Sequence, residues 1–576
     1  MERRRARLFS LPFAGRSLGV DIPILCALLL VLYAMVRAAP SVTAPLAHMP
    51  PISLSPWALP GYVGLSLLRM FGAFVASIVF SLGYGYACAH SEAAERVLVP
   101  ILDILQSVPV LGFLSFSVTF FLAMAPGSTL GPNLASMFAI FTAQAWNMTF
   151  AFYHSLKTIP RDLNEAAALY RLTPLERFIQ LELPAATIPL AWNSMLSFGA
   201  SWVFLTASEA ITVSGRTVLL PGIGSYIAVA IGRGHAGPVV AAIAVMLAVV
   251  VGLDQLLWRP VIAWSQRYRL TAAPDARDEA SSWVLTVLQR SRFLPWLGAR
   301  AVIPFERLRQ ASTVRRARAH PAPLRPWARA LPWLAVGIVL AYLLVPSLAH
   351  AAAAFARMRP TVYAAYVLAT FATLGRVLLA VFLGALWSVP VGVAIGQSAR
   401  LTAYLEPVVQ NAAAFPANLL YGLAVLVFLK VGLPFGSVGS VLLMMLGTQW
   451  YILFNVIAGT QGLTGDLLEA GEVFGLRGFE RWRTLILPGI FPSLVTGGLT
   501  AAGGAWNLSI IAEAASWAGH HFVAFGLGAL ITQAAARGSG TQLFLGILLM
   551  SATVVTLNSV LWRPLYRLAE QRFHIE

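Results

Sequence analysis

The sequence predicts an all-α polytopic membrane protein with about twelve transmembrane helices, arranged as two parallel six-helix repeats. Three observations support this fold class: an apolar composition, apolar runs near the length of a membrane span, and internal repetition. Mean hydropathy is +0.75, with 58% hydrophobic and 11% charged residues. A soluble chain of 576 residues could not bury that much apolar surface. Lipid is therefore the expected solvent for most of the chain.

Apolar runs recur along the whole chain. A helix needs about 20 residues to cross a bilayer, and runs close to that length occur at 22–36, 63–89, 134–152, 239–257 and 331–348. Helices are the expected spanning element because a single segment in lipid must satisfy its own backbone hydrogen bonds. The run at 22–36 could pass for a cleaved signal peptide. Its counterpart at 331–348 lies in mid-chain, so we expect 22–36 to be retained as a helix.

The second half of the chain repeats the first at a nearly constant offset. Arg69, Pro100 and Pro109 match Arg376, Pro407 and Pro416 at 307 residues. Beyond a small length change, the offset is 304 residues, and it relates Asp162, Glu165, Pro184, Trp202, Glu209 and Trp258 to Asp466, Glu469, Pro488, Trp506, Glu513 and Trp562. So many matches at one spacing indicate a duplicated, fused chain with a parallel repeat.

The charge distribution predicts the topology and the domain boundaries. The net charge is +17, but the arginines lie between apolar runs, which favours positive-inside topology over nucleic-acid binding. We predict a basic cytoplasmic N-terminus at 1–16, a first six-helix repeat at 17–270, a cytoplasmic linker at 271–329 and a second six-helix repeat at 330–576. Both termini are placed in the cytoplasm of a bacterial inner-membrane protein. Within the linker, residues 283–297 suit either a helix on the membrane surface or a partly ordered tether.

Each half contains one charged segment that does not suit lipid. It starts with Asp, continues through Glu, and reaches a Leu-Pro dipeptide nineteen residues after the Glu. An N-terminal Asp cap and a Glu in the first turn predict a short amphipathic helix on the cytoplasmic face. The residues concerned are Asp162, Glu165, Ala166, Ala167, Arg171 and Pro184 in the first half, and Asp466, Glu469, Ala470, Gly471, Gly475 and Pro488 in the second.

These two segments resemble the EAA loop of binding-protein-dependent ABC importer permeases, in which Glu-Ala-Ala, a later Gly and Leu-Pro form a coupling helix. We call them the first and second coupling segments. The resemblance implies that each docks on an ATPase subunit. Arg171 stands where the family has Gly, so the first dock is expected to differ from the second. The fold implied is that of a type I ABC importer permease.

Further residues narrow the resemblance to the permeases for nitrate, sulfonate, taurine and bicarbonate. The second predicted helix reads Ser66-Leu67-Leu68-Arg69 followed by Gly72-Ala73-Phe74. The fifth predicted helix ends with Glu209-Ala210 in one half and Glu513-Ala514 in the other. The resemblance implies that the chain forms the translocation path for a small solute, an anion in those permeases, delivered by a periplasmic binding protein.

The chain has no sequence motif for holding ATP. A Gly-x-x-x-x-Gly-Lys-Ser/Thr loop does not occur, and neither Lys157 nor Lys430 follows a glycine-rich stretch. The chain is therefore predicted to be a non-enzymatic permease without a cofactor of its own, with ATP and Mg²⁺ bound by separate ATPase subunits. Because one chain supplies two coupling segments, the predicted complex has one permease chain and two ATPase copies.

Four ionisable residues inside predicted spanning helices are the functional candidates, because an unpaired charge in lipid costs several kcal/mol. They are Arg69, Arg376, Glu209 and Glu513. Each Arg lies at a depth similar to the Glu of its own half, so we predict one Arg–Glu pair in each half. The pairs could form a gate or a ring facing an anion, or they could brace helices. We favour the brace, because a glutamate repels an anion.

Aromatic and amide residues on the same predicted helices are further candidates for the translocation path. Trp202 and Trp506 precede the glutamates by two helical turns, on the same helix face. The other candidates are Trp146, Asn147, Gln449, Trp450 and Asn507. Packing between helices is the alternative role for each of them.

A secondary transporter or channel is the alternative function, because such proteins also use repeats and broken helices. Breaks are predicted here at Pro109 and Pro416. The paired coupling segments separate the two functions, since an ion-driven carrier has no ATPase to bind. A membrane enzyme is not indicated, because the histidines and acids form no metal-ligand or acid-base pattern. Cys26 and Cys88 lie inside apolar runs and indicate neither a disulfide nor a metal site.

Overall fold

The computed structural model describes residues 45, 51–213, 216–268, 282–289, 353–463 and 465–572. Of the described residues, 51–268 and 363–572 belong to one compact unit. The predicted spans at 22–36 and 331–348 lie outside the described residues, as does most of the predicted linker. The described part of the linker contains a helix, α11, at Trp283–Gln289.

The first half of this unit alternates long apolar helices with short ones. Its elements are α1 Leu59–His90, α2 Glu92–Ser107, α3 Val110–Met124, α4 Leu130–Lys157, α5 Arg161–Leu169, α6 Pro174–Arg177, α7 Leu183–Glu209, β1 Ala210–Val213, β2 Arg216–Leu219, α8 Ile223–Gly232, α9 Ala236–Leu253 and α10 Arg259–Ser265. A π-helical turn precedes α7 at Phe178–Glu182. Another joins α9 to α10 at Asp254–Trp258.

The second half repeats this order. Its elements are α12 Pro360–Gly396, α13 Ala399–Ala414, α14 Tyr421–Val431, α15 Ser440–Gln461, α16 Gly465–Val473, α17 Gly478–Arg481, α18 Leu487–Ala512, β3 Ala514–Trp517, β4 His520–Val523, α19 Leu527–Ala536, α20 Gly540–Leu557 and α21 Arg563–Arg572. The π-helical turns recur at the equivalent places, Trp482–Ile486 and Asn558–Trp562. The agreement extends to local irregularities, as expected for two copies of one ancestral unit.

The helical structure is interrupted next to Pro109 and Pro416, as predicted. In the first half, α2 ends at Ser107, and α3 starts directly after Pro109. In the second half, Ala399–Ala414 and Ala417–Val431 meet at 81° on either side of Phe415 and Pro416. Proline removes a backbone donor and disfavours a helical residue before it, which explains the break at this position.

Six helices in the described part of the chain are long and apolar enough to cross a membrane, and the bent pair would make seven. The six are Pro56–His90, Ala236–Tyr268, Pro360–Gly396, Ser440–Gln461, Gly478–Ala512 and Gly540–Ala569. The predicted class, an all-helical membrane protein, is confirmed. The total of about twelve spans stays a prediction, because two of the predicted spans lie outside the described residues.

Two small β-hairpins were not predicted. Strand β1 pairs with β2, and β3 pairs with β4, both antiparallel. The first hairpin directly follows α7, and the second directly follows α18. Each hairpin returns the chain to a short apolar helix, α8 or α19, that lies against the end of the fifth helix. Their strands of four residues are too short to show the alternating pattern that identifies a strand in sequence.

Packing of helices around α7 builds the core of the first half. In that half α4 packs against both α1 and α7, and in the second half α15 packs against α18. Phe198 on α7 makes edge contacts with Phe74, Trp202 and Trp258. Aromatic edge-to-face packing of this kind fixes the rotation of α7, and with it the position of Glu209 at the helix end.

Candidate functional site

A buried ion pair joins α1 and α7 in the first half. Arg69 Nη1 lies 2.7 Å from Glu209 Oε1, and the two side chains are 5% and 0% exposed. Arg69 also donates from Nε to Asn133 Oδ1 at 2.6 Å and from Nη2 to the carbonyl oxygen of Pro221 at 3.0 Å. Ser66 donates to Glu209 Oε1 at 2.6 Å. The charged groups therefore have partners from α1, α4, α7 and the loop before α8.

The same carboxylate accepts a hydrogen bond from the start of the short helix α8. The backbone N–H of Gly224 donates to Glu209 Oε2 at 2.7 Å, where the helix dipole also favours a negative charge. A side chain at Gly222 would collide with the Glu209 carboxylate. Glycine is therefore required there so that the backbone of α8 can approach the acid.

The second half repeats this arrangement. Arg376 Nη1 lies 2.9 Å from Glu513 Oε1. Thr373 donates to the same oxygen at 2.8 Å, and the N–H of Gly528 donates to Oε2 at 2.8 Å. A side chain at Gly526 would collide with Glu513, as one at Gly222 would with Glu209. Arg376 is 15% exposed, so this pair is less completely buried than the first.

The predicted pairing of Arg69 with Glu209 and of Arg376 with Glu513 is confirmed by these distances. Both glutamates are fully buried. Each one joins the first described helix of its half, α1 or α12, and the short helix α8 or α19 to the end of its own helix, which is the contact pattern expected of a brace. Removal of one partner of a buried charge pair leaves an uncompensated charge.

Sequence reasoning missed the donors that complete the two sites. Ser66 and Thr373 are related by the offset of 307 residues, and Gly224 and Gly528 by the offset of 304. The constant offset between the halves could therefore have identified these four residues. Asn133, which holds Arg69 in the first half, could not have been found in this way. Arg376 binds the carbonyl oxygen of Gly436 instead.

The aromatic and amide candidates occupy several environments. Trp202 and Trp506 are buried within the helix packing, whereas Trp146 contacts Phe80 and Phe141. Gln449 accepts a hydrogen bond from the indole N–H of Trp387 at 3.0 Å, and Trp387 also contacts Trp450. Asn147 is exposed. A place on the translocation path stays a prediction for each of them.

Two polar contacts join the halves at the proline breaks. The backbone N–H of Val110, directly after Pro109, donates to Asn507 Oδ1 on α18 at 2.8 Å. On the pseudo-equivalent side, Asn418, two residues after Pro416, hydrogen-bonds Thr206 on α7 at 2.9 Å. A break in a spanning helix exposes backbone groups that lipid cannot satisfy. Asn507 on α18 covers a backbone N–H at the first break, whereas at the second break the side chain of Asn418 donates to the hydroxyl of Thr206 on α7.

A cavity of about 70 Å³ opens between the halves near these contacts. Its lining includes Phe198, Trp202 and Trp258 from the first half and Gln410, Asn411 and Tyr451 from the second. Asp254 also lines it and is paired with Arg259 at 3.0 Å. The space is therefore mainly aromatic and apolar, with amide groups as its neutral polar members.

The coupling segments form short helices as predicted, α5 and α16, each of nine residues. The predicted capping role of Asp162 is wrong. Pro160 precedes α5 without a side-chain cap, Asp162 lies in the first turn, and Glu165 follows in the next. Proline fixes the backbone at the helix entrance, which removes the need for an aspartate cap. The side chain of Asp466 lies outside the described residues.

The ends of both short helices present apolar side chains to solvent. Tyr170 after α5 and Phe474 after α16 occupy equivalent positions and are 78% and 81% exposed. Leu169 and Val473, one residue earlier, are also exposed. Large apolar groups exposed together in this way are typical of a protein–protein contact.

The backbone at the end of each coupling helix is left-handed. Gly475 has φ +71°, and the equivalent Arg171 has φ +50°. Glycine adopts this conformation freely, whereas other residues pay about 1 kcal/mol. A Cβ at Gly475 would meet no atom within 4 Å. The glycine is therefore explained by backbone conformation within this chain, and any steric demand must come from a partner.

This distinction leads to a prediction on the second coupling segment. Gly475→Ala and Gly475→Arg carry the same backbone strain of about 1 kcal/mol but differ in bulk. We expect Gly475→Ala to retain most substrate-stimulated ATP hydrolysis, Gly475→Arg to abolish it, and Arg171→Gly to be mild. The measurement is ATPase activity of the reconstituted complex. Equal losses for the two Gly475 variants would show that the position has only a backbone role.

Comparison with known proteins gives the family. Residues 80–257 match the family described as binding-protein-dependent transport system inner membrane component. These residues are similar to the permease domain of this family. The match covers the first coupling segment and α7, including Glu209. The predicted resemblance to these permeases is confirmed for this part of the chain.

The relatives of this chain include permeases named for nitrate, bicarbonate and taurine. The chain is 27% identical over 203 residues to the nitrate import permease protein NrtB of Leptolyngbya laminosa, covering 35% of this chain and 66% of the relative. It is 24% identical over 205 residues to the bicarbonate transport system permease protein CmpB of Synechococcus elongatus (36% and 67%). It is 27% identical over 142 residues to the taurine transport system permease protein TauC of Escherichia coli (25% and 50%).

The permease spans about half to two thirds of the length of these curated relatives. Within the described residues, no group of three His, Cys, Asp or Glu side chains is placed to hold a metal ion.

Proposed function

We propose that this permease forms the complete membrane-spanning part of an ATP-binding cassette importer. Its two halves take the places of two permease subunits, and each coupling segment docks on one copy of an ATPase. The observation that carries this proposal is the presence of two equivalent coupling helices, α5 and α16, both ending in exposed apolar side chains. One chain thereby presents two docking surfaces, which matches a pair of ATPase subunits.

The proposed cargo is a small anion such as nitrate, bicarbonate, taurine or another sulfonate, delivered by a periplasmic binding protein. The names of the relatives support this class. The lining of the cavity between the halves is compatible with it, because amides and aromatic edges can contact an anion without trapping it as a free arginine would. The acidic Asp254 in that lining is neutralised by Arg259.

The proposed path runs between α7 and α18, past the two breaks at Pro109 and Pro416. Asn507 and Asn418 join the halves there, so opening of a path at this level requires their hydrogen bonds to separate. Motion of the coupling helices reaches this region directly, because α7 and α18 start one π-helical turn beyond α6 and α17. Both termini and the linker face the cytoplasm in this proposal, on the side of the ATPases.

Reconstitution tests the proposed function. The permease is purified with a candidate ATPase subunit, placed in proteoliposomes, and supplied with a candidate binding protein and candidate anions. We expect a complex with one permease chain and two ATPase copies by mass measurement, and ATP hydrolysis that rises when the loaded binding protein is added. Solute uptake driven by an ion gradient, without an ATPase, would refute the importer and establish a secondary transporter.

A further inference from the structure

One end of the helix bundle exposes basic side chains. It is the end at which α7 and α18 finish, and we call its exposed arginine, lysine and histidine side chains the basic outer surface. They are Arg233, His235, Lys430, His520, His521 and Arg537. None of them forms an ion pair with another described residue. These side chains are therefore available to a partner.

The acidic residues of the described chain lie elsewhere. The segments that enter or connect helices at this end are 51–58, 125–129, 210–222, 233–235, 432–439, 513–526 and 537–539. Glu513 is the one acidic residue in these segments, and it is buried. At the opposite end, α2, α5 and α16 expose acidic side chains such as Glu92, Glu165 and Glu469. The two ends of the bundle therefore differ in the sign of their exposed charge.

Membrane topology does not explain the basic outer surface. Arginine and lysine are enriched on the cytoplasmic side of membrane proteins, and in the proposed function that side carries the coupling helices α5 and α16. The opposite side would then be expected to be poor in both residues. Exposed cations there, in segments without an exposed acid, indicate attraction to a negatively charged partner.

Part of the basic outer surface spans the junction between the halves. The backbone N–H of Ala518, in the turn between β3 and β4, donates to the carbonyl oxygen of Ile231 near the end of α8 at 2.9 Å. Arg233 and His235 follow this contact in the first half, and His520 follows it in the second. A partner bound at this place touches both halves of the chain.

The surface continues over the second half. Lys430 lies in the last turn of α14, which packs against β3. Beyond α14, the ring of Phe435 lies 5.9 Å from the ring of Phe522 on β4. Arg537 directly follows α19. Two of the three arginine and lysine side chains in the surface thus belong to the second half.

We propose that the basic outer surface docks an acidic face of the periplasmic binding protein, with the second half as the principal contact. The proposal rests on the proposed function, which places the delivery of cargo at this end of the chain. A protein is favoured over a lipid because the surface includes the junction of the two halves, whereas lipid surrounds the perimeter. Arginine, lysine and histidine donate hydrogen bonds to carboxylates, and opposite charges accelerate the encounter of two proteins.

The test is the association of the binding protein with the permease complex in nanodiscs of phosphatidylcholine alone. The binding protein is the candidate that stimulates ATP hydrolysis by the unmodified complex, and its association rate constant is measured by surface plasmon resonance. Between about 50 mM and 500 mM NaCl, the Debye length falls from about 14 Å to about 4 Å. We expect the rate constant to fall at least about tenfold over this range, because salt screens the attraction.

The outer triple variant carries Arg233→Gln, Lys430→Gln and Arg537→Gln. At low salt it should associate at least about tenfold more slowly than the unmodified complex, and its rate constant should depend little on salt. The double variant with Lys430→Gln and Arg537→Gln should show most of this loss, and Arg233→Gln alone should show little. A short polyglutamate peptide should compete with the binding protein for the unmodified complex, whereas polylysine should not.

A matched control removes the same charge from the opposite end, through Arg96→Gln, Arg563→Gln and Arg567→Gln. These side chains are exposed, as are those of the outer triple variant, so both variants should keep the melting temperature of the unmodified permease. The control should also keep the association rate constant and its dependence on salt. Equal association of the outer triple variant and the unmodified complex would overturn the proposal.

The remaining outcomes assign the surface to other partners or reach the proposed function itself. A melting temperature that rises with phosphatidylglycerol in the unmodified permease but not in the outer triple variant, with association unchanged, would overturn the proposal in favour of lipid. Slower uptake of cargo with unchanged association would overturn it in favour of steering free anions. Failure of every candidate binding protein to bind the unmodified complex or to stimulate it would instead refute the proposed function.

Discussion

Glu209→Gln is expected to lower the free energy of unfolding by about 3 kcal/mol or more, because it leaves Arg69 buried without a counter-charge. Arg69 is 5% exposed, so solvent reaches little of its side chain. Adding Arg69→Gln should recover part of the loss, since two neutral amides cost less than one unpaired charge. The measurement is thermal unfolding of the purified permease in detergent, followed by its tryptophan fluorescence.

Controls for this prediction come from the same chain. Glu92 and Arg96 form an exposed ion pair on α2, and Glu92→Gln should leave the melting temperature unchanged because water solvates both groups. The Arg376–Glu513 pair should respond in the same direction as Arg69–Glu209 but less strongly, because Arg376 is partly exposed. Losses that add without any recovery in the double variant would contradict the coupling of Arg69 to Glu209.

Replacing Tyr170 and Phe474 together by aspartate is expected to abolish substrate-stimulated ATP hydrolysis while leaving the permease folded. Each side chain is exposed at the end of its coupling helix and makes no contribution to the core. An aromatic anchor in a protein interface contributes about 2 kcal/mol or more, so each single variant should weaken ATPase binding at least about tenfold. A carboxylate buried against an apolar groove adds a desolvation cost.

The matched controls are Tyr170→Phe and Phe474→Tyr, which keep the aromatic surface and exchange the residues of the two halves. Both should retain binding and coupling. Affinity is measured by titrating the ATPase onto immobilised permease, and folding by the melting temperature of each variant. Full coupling in the double aspartate variant would show that the ATPase docks elsewhere on the chain.

Local chemistry made much of this site predictable. A charge inside an apolar run must be paired, so Arg69 and Glu209 were matched from depth alone, as were Arg376 and Glu513. Proline cannot continue a helix, so Pro109 and Pro416 marked the breaks. Each of these signals occurs twice, once in each half of the chain. The coupling helices followed from charged residues placed between spans, although the position of Asp162 within its helix did not.

Other features depend on contacts between residues that lie far apart in the sequence. Asn507 meets the backbone of Val110 only because α18 of one half crosses the broken span of the other. His90 and Glu182 meet because the end of α1 packs beside the turn that precedes α7. Neither contact has a fixed spacing, so no periodic pattern can indicate it.

By itself, the sequence determined that this protein lies in a membrane, that it is built from two related halves, and that each half pairs one arginine with one glutamate. These conclusions depend on transfer free energies and on repetition, which act on residue types alone. Only the tertiary structure decided which neutral donors complete each charged site, how the halves touch at their breaks, and why Gly475 is a glycine. Such details depend on directional hydrogen bonds and on backbone angles, which exist only once the helices have packed.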